Sequence, residues 1–68
     1  MTVDQIIALA AQHQNEGAMS TSAQVCLIDA MLLRAEGHDD LARRRALTSL
    51  QYSVGAFHPD FQQAQQST

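Results

Sequence analysis

The side chains of this chain best suited to hold a metal or attack a substrate are His13, Cys26, His38, Asp39 and His58. No two of them lie three or four residues apart within one helix, the close spacing by which zinc sites announce themselves. On spacing alone the three histidines read as isolated surface residues, and no metal or cofactor is expected. Cys26 falls in an apolar run, where a thiol behaves as a small hydrophobe. A nucleophilic role for it would need a positioned base, and the sequence nominates none. Nor is there a glycine-rich phosphate loop, a carboxylate pair at helical spacing or a nucleophile elbow. The expectation is a protein that is not an enzyme.

Two further stretches carry chemistry of a different kind. Arg43, Arg44 and Arg45 are consecutive, so on a helix they fan over roughly 200° and make no single narrow recognition face. The chain has a formal charge of −3, whereas gripping phosphates needs a surplus of cations. A DNA-binding regulator using Arg43, Arg44 and Arg45 is therefore an alternative, not the leading reading. The second stretch is "GAFHPDF", residues 55–61. Proline at a first helical position costs no hydrogen bond, and the residue before it is pushed out of the helical region. His58-Pro59-Asp60 then ends one helix and starts another, with Asp60 favourably placed in the new first turn.

The same tripeptide resembles the signature of J-domain co-chaperones, whose interhelical loop stimulates the ATPase of a large chaperone. Only His58, Pro59 and Asp60 carry that resemblance. The arginines lie well before the tripeptide, Gly55 interrupts the preceding turn, and little chain follows in which to build the family's long next helix. The co-chaperone is kept as a second alternative.

At 68 residues the chain makes one domain, and such a domain buries only roughly 60% of its unfolded surface. Disulfides, a metal or a partner subunit usually add support at this size. Cys26 is the sole cysteine, so no internal disulfide forms and a reducing, cytoplasmic setting is expected. The start "MTVDQII" has an aspartate where a leader would be basic, so no signal peptide is expected, and a natural start with no tag or linker suggests a complete gene product. No apolar run approaches the roughly 20 residues needed to cross a bilayer. Partner burial is left as the support.

The elements follow from periodicity. "TVDQIIALAAQHQNEG" predicts a helix over 3–15, with Thr2 and Gln5 at capping-box spacing and a stripe of Val3, Ile6, Ile7 and Ala10, widened by Leu9. Gly17 is a stop, and "NEGAMSTS" has turn chemistry. A second helix is predicted over 21–36, with Thr21 and Gln24 as its capping box and Gly37 ending it. It is apolar nearly all round, and two neighbours in so short a chain cannot cover it. A third helix is predicted over 39–56. Leu47, Leu50, Val54 and Phe57 are its expected core stripe, and Ala42, Ala46, Ser49 and Ser53 form a small-residue stripe fit for close helix approach. The short link at Gly37 implies an antiparallel hairpin. The tail, 59–68, is expected to add one or two helical turns before a glutamine-rich end that frays. Strand periodicity is absent.

The predicted architecture is thus all-α over 1–68: an N-terminal helix, an antiparallel hairpin and a short C-terminal helical turn, paired as a homodimer. Val25, Ile28, Met31 and Leu32 are the dimer-interface candidates. The stretch "LARRRALTSLQYSVGAFHPDF" resembles short early-region proteins of Mu-like temperate phages. That resemblance implies a small inhibitor or adaptor of a host protein. Arg43, Arg44, Tyr52, Phe57 and Phe61 are its candidate contacts, since arginine and aromatics dominate interface energy. Phe57 is nevertheless expected in the core, and Phe61 either seals the hairpin or stands exposed beside a partner site.

Overall fold

The computed structural model describes residues 1–17 and 20–66. Four helices follow in order: α1 (Val3–Asn15), α2 (Thr21–Ala35), α3 (Asp39–Val54) and α4 (Pro59–Gln66). The described residues contain no strand. The all-helical expectation is met.

Each helix boundary has a local cause. Thr2 and Gln5 form the expected capping box: the Gln5 amide donates to Thr2 Oγ1 at 3.1 Å and the Thr2 amide to Gln5 Oε1 at 2.8 Å. α2 begins at Thr21 as expected, but its cap lies one residue earlier than expected. Ser20, in extended conformation, is the cap, its hydroxyl accepting from the Ala23 amide at 3.1 Å. That leaves Thr21 already helical. Ala18 and Met19, in the expected turn between the two helices, lie outside the described residues.

Gly37 ends α2 with φ +86°. The His38 amide donates to Leu33 O and the Gly37 amide to Arg34 O, the crossed pair of bonds that a left-handed glycine makes possible. The chain then turns straight into α3, with Asp39 and Asp40 in its first turn. Cross-helix contacts fix the direction. Arg34 meets Asp39, Asp29 meets Arg45 and the Ala23 carbonyl meets Ser49. The further back along α2, the further forward along α3, so the hairpin is antiparallel.

The core cluster is small: Ile6 and Ala10 from α1, Leu27 and Ala30 from α2, Ala46 and Leu50 from α3, Phe61 and Ala64 from α4. Half of these are alanines, which let the helices approach closely but bury little apolar area each. The small-residue stripe of α3 forms much of its inward face, with Ala42, Ala46 and Ser49 fully buried. A polar tie crosses this region. Gln14 Nε2 donates to the Ala23 carbonyl at 3.1 Å and to Ser49 Oγ at 3.3 Å, and Ser49 Oγ donates to the same carbonyl at 2.7 Å. One buried side chain from α1, one from α3 and one backbone oxygen from α2 thereby fix three helices in register.

The end of α3 corrects the sequence reading. The helix stops at Val54, before the expected 56, because Gly55 takes φ +93° and ψ 158°, a region almost confined to glycine. Phe57 therefore leaves the helical register of Leu50 and Val54. It lies in a turn and is 91% exposed, so the expectation that it clips α3 to the core is wrong. Phe61 takes that place at 6% exposure, with Ala64 one turn later at 0%. The tail is thus helical through Gln66, and the expected fraying at Ser67 and Thr68 lies outside the described residues.

Candidate functional site

Each of the four helices carries exposed residues along its length. Every helix consequently keeps a face toward solvent. For α2 this has a consequence, because its sequence is apolar on both faces. Ala23, Cys26, Leu27 and Ala30 point inward and are buried, while Val25, Ile28, Met31 and Leu32 point outward at 60%, 58%, 54% and 58% exposure. At 100° per residue these four fall within an arc of about 120°. Val25, Ile28 and Leu32 follow the spacing of a coiled-coil seam, with Ala35 continuing it and Met31 alongside. Ile28 is the midpoint of the helix, so the patch is nearly symmetric about its centre.

One border of the stripe is charged, where Asp29 accepts from Arg45 Nε at 3.0 Å. Leu41, one turn before Arg45 on α3, adds a further half-exposed aliphatic side chain. At the loop end Arg34 bridges elements, donating to Asp4 of α1 at 3.1 Å and to Asp39 at 3.5 Å. The hydrogen bond to Asp4, then the charges of Asp4 and Asp39, hold its guanidinium above its ordinary pKa.

The remaining sequence candidates are distributed as follows. Arg44 and Tyr52 lie two turns apart on one outer face of α3, both exposed, and Phe57 projects from the turn beyond. Arg43 is only half-exposed and donates to the Met1 carbonyl at 2.9 Å, tying down the N-terminus. Phe61 is buried and drops out as a contact residue. Arg45 is engaged by Asp29, so the arginine triplet does not present three unengaged cations.

A second constellation was not legible in the sequence. His13, at the end of α1, places Nε2 2.8 Å from Asp60 Oδ2 on α4. The rings of His13 and His58 meet edge to face with centroids 5.3 Å apart. His58 caps α4, its Nδ1 accepting from the Asp60 amide at 3.1 Å. One ligand atom from each of His13, His58 and Asp60 lies within 4.8 Å of the others. Two of the three histidines are thus neither isolated nor fully exposed; His38 is exposed and makes no side-chain capping bond. Spacing rules search within one helix, whereas this cluster joins residues 47 apart. Its only local trace was the His-Pro-Asp cap. The same geometry turns His58 and Asp60 toward α1 rather than leaving both available to a chaperone.

Comparison of the chain with protein-family models, with curated proteins and with solved structures finds no match. No helix among the described residues is long and apolar enough to cross a membrane.

Proposed function

We propose that this chain is a small non-enzymatic protein-binding module that pairs with a second copy of itself through the outward face of α2. The observation that carries this reading is the stripe of Val25, Ile28, Met31 and Leu32, each more than half exposed on a helix whose opposite face is buried. A second copy suits it because the stripe is centred on the midpoint of α2. Antiparallel packing about Ile28 sets Val25 of each copy near Leu32 of the other, the self-complementarity a two-fold interface requires.

Covering the exposed half of one such side chain contributes about 1 kcal/mol. Four from each copy contribute roughly 8 kcal/mol, set against about 4–15 kcal/mol for lost freedom on association. The pairing is accordingly weak, with a dissociation constant of about 1 mM at best, and dependent on concentration. Arg44, Tyr52 and Phe57 remain outside this face for a different partner. The resemblance of Leu41–Phe61 to early-region proteins of Mu-like phages supports a cytoplasmic host protein in that role, with the chain acting as its inhibitor or adaptor.

Sedimentation equilibrium from micromolar to millimolar concentration tests the pairing, with a rise from monomer to dimer mass expected. A chain that stays monomeric throughout removes α2 self-association. Capture from host lysate with wild-type chain, set against a variant lacking the Tyr52 and Phe57 rings, tests the second contact. A protein retained equally by both would not be bound through that surface.

A further inference from the structure

We propose that His13, His58 and Asp60 form a zinc site that fastens α4 to the end of α1. Two imidazole nitrogens and one carboxylate oxygen suit zinc, whereas magnesium and calcium favour oxygen donors. A tetrahedral zinc ion with ligand bonds of about 2.0–2.1 Å holds its ligand atoms about 3.3 Å apart. His13 Nε2 and Asp60 Oδ2 already lie 2.8 Å apart, and the whole triad spans no more than 4.8 Å. The separations exceed the tetrahedral spacing by at most about 1.5 Å, a gap on the scale of side-chain rotation. Water would fill the fourth position, as in other zinc sites with three protein ligands.

The surroundings are those of a supported ligand set. His13 has only 13% of its side chain exposed, and its other ring nitrogen faces Glu16 Oε2 at 4.0 Å. Glu16 in turn accepts from Gln12 Nε2 at 3.2 Å. A carboxylate that accepts from the distal nitrogen of a metal-bound imidazole fixes its tautomer and strengthens it as a donor; at 4.0 Å Glu16 makes no such bond and would have to close in to make it. On binding, the ion replaces the hydrogen between His13 Nε2 and Asp60, and the ring N–H then lies on Nδ1, toward Glu16. The gain is structural: α4 has eight residues and only Phe61 and Ala64 buried, and a chain with no disulfide is of the size that metals commonly staple.

Titrating the full chain with zinc by calorimetry, in magnesium-containing buffer, should give one ion per chain at micromolar affinity or tighter. His13→Ala and Asp60→Asn should each weaken binding at least about tenfold, the scale on which even outer partners of a metal ligand act. His38→Ala should leave it unchanged. His58→Asn keeps a side chain that caps helices well, so it separates loss of the ligand from loss of α4; it should remain folded by circular dichroism and bind zinc at least about tenfold more weakly. Zinc should also slow amide exchange in α4 of the wild-type chain. Absence of zinc binding by the wild-type chain overturns the site. So does wild-type affinity in the folded His58→Asn variant, or a loss in His38→Ala as large as in His13→Ala.

Discussion

Ile28 is the most informative position on the outward face of α2, and glutamate the most informative replacement. The side chain is 58% exposed in the single chain. Fully burying an isoleucine contributes about 1.5–3 kcal/mol, so covering what remains is worth about 1–1.7 kcal/mol. A two-fold axis counts it twice, giving about 2–3.5 kcal/mol per dimer. At about 1.4 kcal/mol per decade, Ile28→Glu should raise the dissociation constant roughly 30- to 300-fold. Facing carboxylates near the axis push in the same direction. The folded monomer should barely notice, because glutamate is at least as good a helix former as isoleucine and surface substitutions change stability by about 0.5 kcal/mol or less. Sedimentation equilibrium reads the first effect, and urea unfolding of a dilute sample reads the second. Wild-type association retained in the variant would refute the pairing face. Unfolding of the dilute variant would show instead that Ile28 belongs to the monomer core.

Other positions test the fold around that face. Ser53 Oγ is buried without a hydrogen-bond partner among the described residues, so Ser53→Ala should raise stability by about 0.5–1 kcal/mol in urea denaturation. A loss would mean that the hydroxyl is satisfied. Gly55→Ala meets no neighbouring atom within 4 Å; its cost is purely conformational, about 1–3 kcal/mol by the same measurement. Phe61→Ala removes the one aromatic ring of the core and should cost about 3–5 kcal/mol. That is a large share of the roughly 3–10 kcal/mol available to a domain of this size, so protease cleavage within α4 should accelerate sharply. Unchanged cleavage would show that α4 is held by something other than Phe61.

Much of this fold follows from short-range rules. The Thr2 and Gln5 capping box, the glycine stop after α2, Asp39 and Asp40 opening α3, and Pro59 opening α4 each depend on chemistry within a few residues. The excess of apolar surface on α2 was likewise legible, since no arrangement of so short a chain could hide both of its faces. Other expectations failed where a neighbour in space or one backbone angle intervened. Thr21 was expected to cap α2 because it has capping-box spacing, but Ser20 has the extended backbone and reaches Ala23. Phe57 and Phe61 flank the same proline and have the same intrinsic hydrophobicity. Only the left-handed turn at Gly55 decides that the first is exposed and the second buried.

The candidate sites divide along the same line. Val25, Ile28, Met31 and Leu32 share a face because helical geometry alone sets them within one arc, so periodicity sufficed to name them. His13 and Asp60 are 47 residues apart, and nothing in either local sequence anticipates the other. Their meeting requires α4 to fold back along α3 until its first turn reaches the end of α1. The sequence by itself determined three helices, a short C-terminal helical segment, several of their ends and an uncovered apolar face, because those depend on local torsions and on composition. Only the tertiary structure decided which aromatic ring completes the core and which two histidines meet, because both depend on how the chain closes on itself.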